Sequence, residues 1–359
     1  MKDLATRALD TAKSRGATYA DIRIIYSKSE SITAKNGKVE ALAMGESQGF
    51  GIRVIAEGAW GFASSGRLTT REVDRVAALA VRTAQASATV KHADVDIGPP
   101  SPTTGRYSTA YQIDPFAVSL EEKINLLMAA DQAMRRVKGI RVAESAIEIV
   151  RENKAFASTE GSMIEQEITK VGCGIEAMAE GQGDVQNRSY PNSVGRHHGS
   201  GGWEFVQAQD LPGNGQRIAE EAVALLTAKP CPSGTTTLIL DATQLALQLH
   251  ESCGHPIELD RVLGSEASYA GTSFLTIDKL GKFRYGSDLV NITADATLKG
   301  GLGSFGYDDE GVPAQRIPIV RGGLFLGYLT SRETARVVGQ TSNGTMRADG
   351  WNRIPLIRM

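Results

Sequence analysis

Residues His250-Glu251-Ser252-Cys253-Gly254-His255 form the pattern H-E-x-x-x-H, two imidazoles and a carboxylate in one short segment. Imidazole nitrogens are good zinc ligands, and a neighbouring carboxylate can take a proton from water that the metal activates. The shorter H-E-x-x-H helix motif of zinc peptidases divides the work in this way. The extra residue changes the geometry. At about 100° per residue, a four-residue step keeps two histidines on one helix face, whereas five residues leave them about 140° apart. The helix must therefore end or distort inside the motif. Gly254 suits the left-handed conformation that ends a helix, and Pro256 disfavours helical geometry at His255, so this histidine can swing back toward His250. Glu251 is then the candidate general base, and Glu258 and Asp260 are candidates for orienting a histidine through its second nitrogen.

The competing reading is an ordinary helix on which these residues meet by accident, expected in on the order of one chain of this size in a hundred. Context favours the metal: two of only five histidines lie in the motif, which is expected at a helix end after a buried strand. Zinc at a catalytic site takes three protein donors, and the motif supplies two. Cys253 reads as a small packing residue, because a short local loop would have to arrange three donors tetrahedrally. His92 borders a proline-rich stretch and His197-His198 lie in a polar one, so all three read as solvated. Gly300-Gly301-Leu302-Gly303 lacks the Lys-Ser/Thr pair of a phosphate loop and reads as a tight turn beside the site.

The elements that must hold this motif form an α+β pattern. An amphipathic helix over residues 1–15 precedes alternating strand stretches, with hairpin turns at Asn36-Gly37 and Glu57-Gly58. Thr69 with Glu72 and Ser119 with Glu122 are capping pairs that start helices. Prolines 99, 100 and 102 mark a linker over 96–115, which separates an N-terminal unit (1–95) from a central unit (116–229). Strands are expected at 141–150, 154–158 and 163–180, a polar loop over 181–202, and a helix near 216–228. Pro230-Cys231-Pro232 opens the last unit (230–359). There Thr235–Leu240 reads as a strand, Asp241 as the cap of the motif helix, Leu245 and Leu249 as its core-facing residues, and the part after Phe274 as mostly strands and glycine turns.

Composition sets limits on function. Lys plus Arg number 39 against 41 Asp plus Glu, a balance that favours neither nucleic acid nor an anionic membrane surface. Apolar runs stay well below the roughly 20 residues of a membrane span, and the charged N-terminus is no signal peptide. Three cysteines are too few for a disulfide framework and fit a reducing, cytoplasmic setting.

Four ordered blocks carry a resemblance to a known family. They are Gly49-Phe50-Gly51-Ile52-Arg53 with Gly61-Phe62-Ala63; His250 through Asp260; Gly306-Tyr307-Asp308-Asp309-Glu310-Gly311; and Gly327-Tyr328-Leu329-Thr330-Ser331-Arg332. With them the chain resembles the TldD/PmbA (TldD/TldE) family of gyrase modulators and peptide-maturing proteases over nearly its whole length. The resemblance implies an N-terminal α/β domain with helices on a mostly antiparallel sheet, then a strand-rich C-terminal domain carrying the metal-motif helix. It also implies a homodimer, or a heterodimer with a PmbA/TldE-like subunit, and a substrate that is an unfolded or modified peptide such as the leader of a peptide natural product. PmbA-like members lack the metal motif, so His250, Glu251 and His255 place this chain with the catalytic TldD type. Family members continue past the position of Met359, and their third zinc ligand, a cysteine, lies in that extension. This chain therefore reads as cut short and is expected to be a poor enzyme by itself. A non-catalytic subunit that binds peptide or stabilises a partner is the alternative.

Overall fold

The alternating stretches become unusually long strands in the computed structural model, which describes residues 1–359. Helix α1 (Lys2–Ser14) leads into β1 (Tyr19–Lys35), β2 (Lys38–Ala56), β3 (Ala59–Ser65) and helix α2 (Thr70–Ala88). Both expected hairpin turns form, with Asn36-Gly37 at φ 50° and 81° and Glu57-Gly58 at φ 52° and 73°, the paired left-handed residues of a type I′ turn. Strand β4 (Thr104–Ser108) and helix α3 (Leu120–Arg135) follow. Thr69 and Ser119 cap α2 and α3 by accepting the amides of Glu72 and Glu122. Then come β5 (Ile140–Ser158), β6 (Met163–Gly181), β7 (Asp184–Tyr190), β8 (His197–Ser200) and the helices α4 (Trp203–Ala208) and α5 (Leu211–Leu225).

These strands make one eight-stranded sheet in the order β3-β2-β1-β5-β6-β4, with β7 and β8 also paired to β6. Only the β4–β6 pairing is parallel. The structure is more regular than the sequence in two places. The stretch 96–115, expected as a linker, contains β4, and the polar segment 181–202, expected as a loop, contains β7 and β8. A ladder asks only for backbone amides and carbonyls, so polar residues can complete the open edge of β6. The two strands expected between 141 and 158 are the single strand β5.

Period two assigns the faces of the sheet. Ile22, Ile24, Phe50, Ile52 and Val54 pack against α1 and α2, while Ile32, Ile147, Val171 and Ile175 pack against α3 and α5. The intervening residues Asp21, Arg23, Arg53 and Lys154 point to the opposite face, where the C-terminal unit sits.

The C-terminal unit is less regular. Thr235–Leu240, expected as a strand, has no regular structure, and Leu238 and Ile239 are 74% and 91% exposed. A β-branched run becomes a strand only where a neighbour completes its ladder, and none lies there. Asp241 caps helix α6 (Ala242–Leu249) by accepting the Thr243 amide, yet Leu245 and Leu249 are exposed, not core-facing. Beyond the motif come α7 (Leu259–Val262), the three-stranded antiparallel sheet of β9 (Ile292–Asp295), β10 (Arg316–Arg321) and β11 (Leu324–Phe325), helix α8 (Arg332–Val337), and a ribbon of β12 (Met346–Arg347) and β13 (Leu356–Ile357). Ile257, Leu259, Leu275, Phe325 and Tyr328 form its core. No helix is long and apolar enough to cross a membrane.

Buried charges join this unit to the sheet. Arg53 bonds Asp21 at 2.8 Å and Glu310 at 3.0 Å, Lys154 bonds Asp309 at 2.7 Å, and Arg23 lies 3.3 Å from Asp309. Glu310 also accepts the Arg332 amide, and the Arg332 side chain bonds Glu160 at 2.7 Å. Burial by itself would raise the Asp309 carboxyl, but Lys154 and Arg23 outweigh it and hold the group down at about 2. Gly49 and Gly51 leave room for Trp351, whose ring and carbonyl would lie 2.3 Å and 2.6 Å from added Cβ atoms.

Arg53→Met strands two buried carboxylates and should cost about 3–5 kcal/mol, read as a lower midpoint in urea unfolding. A wild-type midpoint would show that the C-terminal unit does not depend on this pair. For Asp309 the folded value lies below the ordinary one near 4, so its contribution is complete above about pH 4 and lost as pH falls through about 2. Asp309→Asn should therefore flatten the acid limb of stability against pH.

Candidate metal centre

Helix α6 stops at Leu249, and the chain continues as a wider turn. His250–Gly254 form a π turn in which the His255 amide donates to the His250 carbonyl, and His255–Ile257 form a 3₁₀ turn. A hydrogen bond that spans five residues brings positions five apart into register. The rings of His250 and His255 accordingly lie 4.5 Å apart, centre to centre, at 82° to each other. The distortion expected from the motif is present, but by another route. Gly254 is right-handed at φ −55° and His255 stays helical at φ −67°, so neither ends the helix. Pro256 sits in the first turn of the 3₁₀ segment, where its missing N–H leaves no bond unmade. Gly254 packs against the flexible side chain of Met359, whose Cε is the atom nearest to where a Cβ would stand. The hydroxyl of Tyr285 donates to the Ser252 carbonyl at 2.6 Å and so holds the widened turn.

One ligand atom from each of His250, Glu251 and His255 lies within 4.8 Å of the others. Glu251 Oε1 is 3.8 Å from His250 Nε2, and the carboxylate is 64% exposed, open to water and substrate. Glu258 is fully buried, with Oε1 3.1 Å from His255 Nδ1. A carboxylate can only accept there, so Nδ1 carries the hydrogen and Nε2 keeps its lone pair for a metal. The other oxygen of Glu258 accepts from Arg261 at 3.0 and 3.1 Å, with Arg358 at 3.6 Å. Asp260, expected beside Glu258 as a second orienting group, instead accepts the backbone amides of Arg261 and Ile357 at 2.8 and 3.0 Å and pins β13 to the motif.

Long-range pairing sets the position of Glu258. The Leu329 amide donates to the Ile257 carbonyl and the Leu259 amide to the Leu329 carbonyl, so the block Gly327–Arg332 frames the site. Sequence reasoning missed Arg261, Arg358 and Tyr285. Arg261 is three residues from Glu258, a spacing that could have been read; the other two are brought in by folding alone. Cys253 is buried in the C-terminal core, where burial raises its thiol. His92 is exposed, His197 stacks on Phe205 and His198 lies 3.3 Å from Glu148, all apart from the centre. Gly300–Gly303 is a tight turn closed by the Ser304 hydroxyl on the Leu298 carbonyl. Beside His250 lies a mostly apolar cavity of about 480 Å³, walled in part by Leu298, Leu302 and Met359.

Three domain models of PmbA/TldA metallopeptidases match this chain: domain 1 over residues 20–84, the central domain over 113–229 and the C-terminal domain over 233–359. A metalloprotease of Methanocaldococcus jannaschii is 33% identical over 347 residues, covering 95% of this chain and 72% of that protein. A zinc metalloprotease TldD homolog of Saccharolobus solfataricus is 25% identical over 357 residues, covering 97% and 72%. The crystal structure of TldE from Thermococcus kodakarensis matches with a TM-score of 0.70 over 99% of this chain and 76% of that one; at 15% identity this likeness is one of fold.

Glu258→Gln keeps the shape of the carboxylate but loses its charge at His255, Arg261 and Arg358. Zinc affinity, read by competition with a chromophoric chelator, should fall about tenfold, the lower end of what such orienting partners contribute. Unchanged affinity would separate Glu258 from the centre.

Proposed function

Because this chain belongs to the PmbA/TldD family of metallopeptidases, we propose that it is a zinc-dependent peptidase in which His250 and His255 hold the metal and Glu251 is the general base. The convergence of these three donors across the π turn carries the reading. The donor set fits zinc: two imidazoles, one with its Nδ1 engaged by a buried carboxylate, are the nitrogen ligands this ion takes. The third protein donor in this reading is a cysteine downstream of Met359, as the resemblance implies. When bound, zinc supplies Lewis-acid activation of water and polarisation of the scissile carbonyl.

The chain's own residues do the rest. Glu251 accepts a proton from the attacking water and returns it to the departing amine, a role that its exposure and its place beside His250 allow. Glu258 holds the His255 ring in one orientation. The substrate in this reading is an unfolded or modified peptide, such as the leader of a peptide natural product, held extended through its backbone. The proposed working assembly is a homodimer or a pair with a TldE-like subunit, in the cytoplasm, with the chain divided into units 1–95, 116–229 and 230–359.

In a preparation that cleaves an unfolded peptide, His250→Ala and His255→Ala should lose zinc. Glu251→Gln should keep zinc and lower turnover by about 10²–10⁴-fold. Metal analysis beside peptide cleavage checks both, and normal turnover in Glu251→Gln would remove that residue from its role. A chain that binds peptide and never zinc would instead be a non-catalytic subunit.

A further inference from the structure

Between the free face of the sheet and the C-terminal unit lies a second cavity of about 900 Å³, with charged and apolar side chains in its wall. It shares with the cavity at His250 a wall made by the segment from Leu302 to Phe305, together with Arg347 and Arg358. Five cations and four carboxylates line it, and not all of them are paired. Lys154 is committed to Asp309 at 2.7 Å and Glu152 at 3.2 Å, and Arg358 to Glu266 at 2.8 Å. Both oxygens of Asp308 are taken by the backbone amides of Glu310, Val312 and Met346. Lys170, Arg347 and Arg353 also line the cavity, and none of their side chains has a carboxylate partner. The remaining free acid on the wall is Asp349, which is exposed.

Lys170 is the most constrained of these cations. It stands on β6 opposite Val150 of β5 and Ser200 of β8, half-buried in the cavity wall. Burial lowers its ammonium, Arg347 and Lys154 push the same way, and Glu152 only partly opposes them. Glu152, the nearest opposing charge, is itself bonded to Lys154, so an added anion in the cavity would stabilise the Lys170 ammonium. Electrostatic complementarity of this kind sets which partner is accepted.

We propose that this chamber, through Lys170 and Arg347, binds a carboxylate of the peptide substrate. The proposal rests on the peptidase reading for the substrate's being a peptide. The shared wall gives the route: a chain whose scissile carbonyl lies at Glu251 has the apolar cavity beside it and the charged one next along. The carboxylate is either the peptide's C-terminus or an Asp or Glu side chain, and the two sources are separable.

The test uses labelled unfolded peptides of one parent sequence: one with a free C-terminal acid and no acidic side chain, one amidated with a single Asp, and one amidated with no acid. Fluorescence anisotropy with the Glu251→Gln protein measures binding without turnover. At least one carboxylate peptide should bind about tenfold or more tightly than the neutral one, in line with hydrogen bonds to a charged group, and which one does identifies the source. Lys170→Met should remove that preference and leave the neutral peptide unchanged, which also reports on folding, Lys170→Arg should restore it, and Arg347→Met should remove the preference. For the unsubstituted chambers, raised salt should shrink the preference. Equal binding of all three peptides, or a preference that survives both methionine variants, overturns the proposal. Cleavage by the Glu251 protein is read separately: peptides cleaved without regard to charge leave the peptidase reading standing and the chamber refuted, whereas charge-selective binding with no cleavage does the reverse.

Discussion

Six charged side chains from the sheet and the C-terminal unit are buried together where the two meet, and their pairing ties those parts to each other. Asp21, Arg23 and Arg53 come from β1 and β2, Lys154 from β5, and Asp309 and Glu310 from the loop after Phe305. Buried ion pairs are weak sources of net stability, because desolvation cancels much of the attraction. Their geometry is demanding, however, since each unpaired charge would be very costly. Arg53 bonds Asp21 and Glu310 together, which ties the loop to the sheet. The loop in turn receives the Arg332 amide on Glu310, which positions the end of the segment whose Leu329 pairs with Ile257 and Leu259. The orientation of His255 by Glu258 is thus the last link in a chain of contacts that begins on the sheet.

The centre itself is a local solution to a spacing problem. Two histidines five apart cannot share a face of an α-helix, and a π turn removes the mismatch by adding one residue to one turn. Such a turn disturbs the regular ladder, and here a tertiary contact holds it: the Tyr285 hydroxyl on the Ser252 carbonyl. Gly254 stays right-handed within it, so the turn asks for no unusual backbone angle there.

The two cavities divide the surroundings of the centre by chemistry. One is mostly apolar and lies at His250; the other is lined by charges of both signs and lies against the sheet. Their common wall follows from the same docking, because Arg347 and Arg358 reach both from the β12–β13 ribbon, which Asp260 ties to the motif through the Ile357 amide.

Much of this was written in local sequence. Asn36-Gly37 and Glu57-Gly58 determined their turns, Thr69, Ser119 and Asp241 their helix starts, and the alternation through β1, β5 and β6 the two faces of the sheet, because each depends on groups a few residues apart. The pattern H-E-x-x-x-H determined that a helix had to deform. Folding in three dimensions decided the rest. Whether polar residues 184–190 became a strand depended on the open edge of β6, and whether Thr235–Leu240 became one depended on a neighbour that it lacks. The approach of Arg358 to Glu258 and the meeting of Arg53 with Glu310 join residues as much as 257 positions apart. Sequence periodicity carries no information about pairs so distant, since their contact is set by how whole elements pack and by the need of each buried charge for a counter-charge.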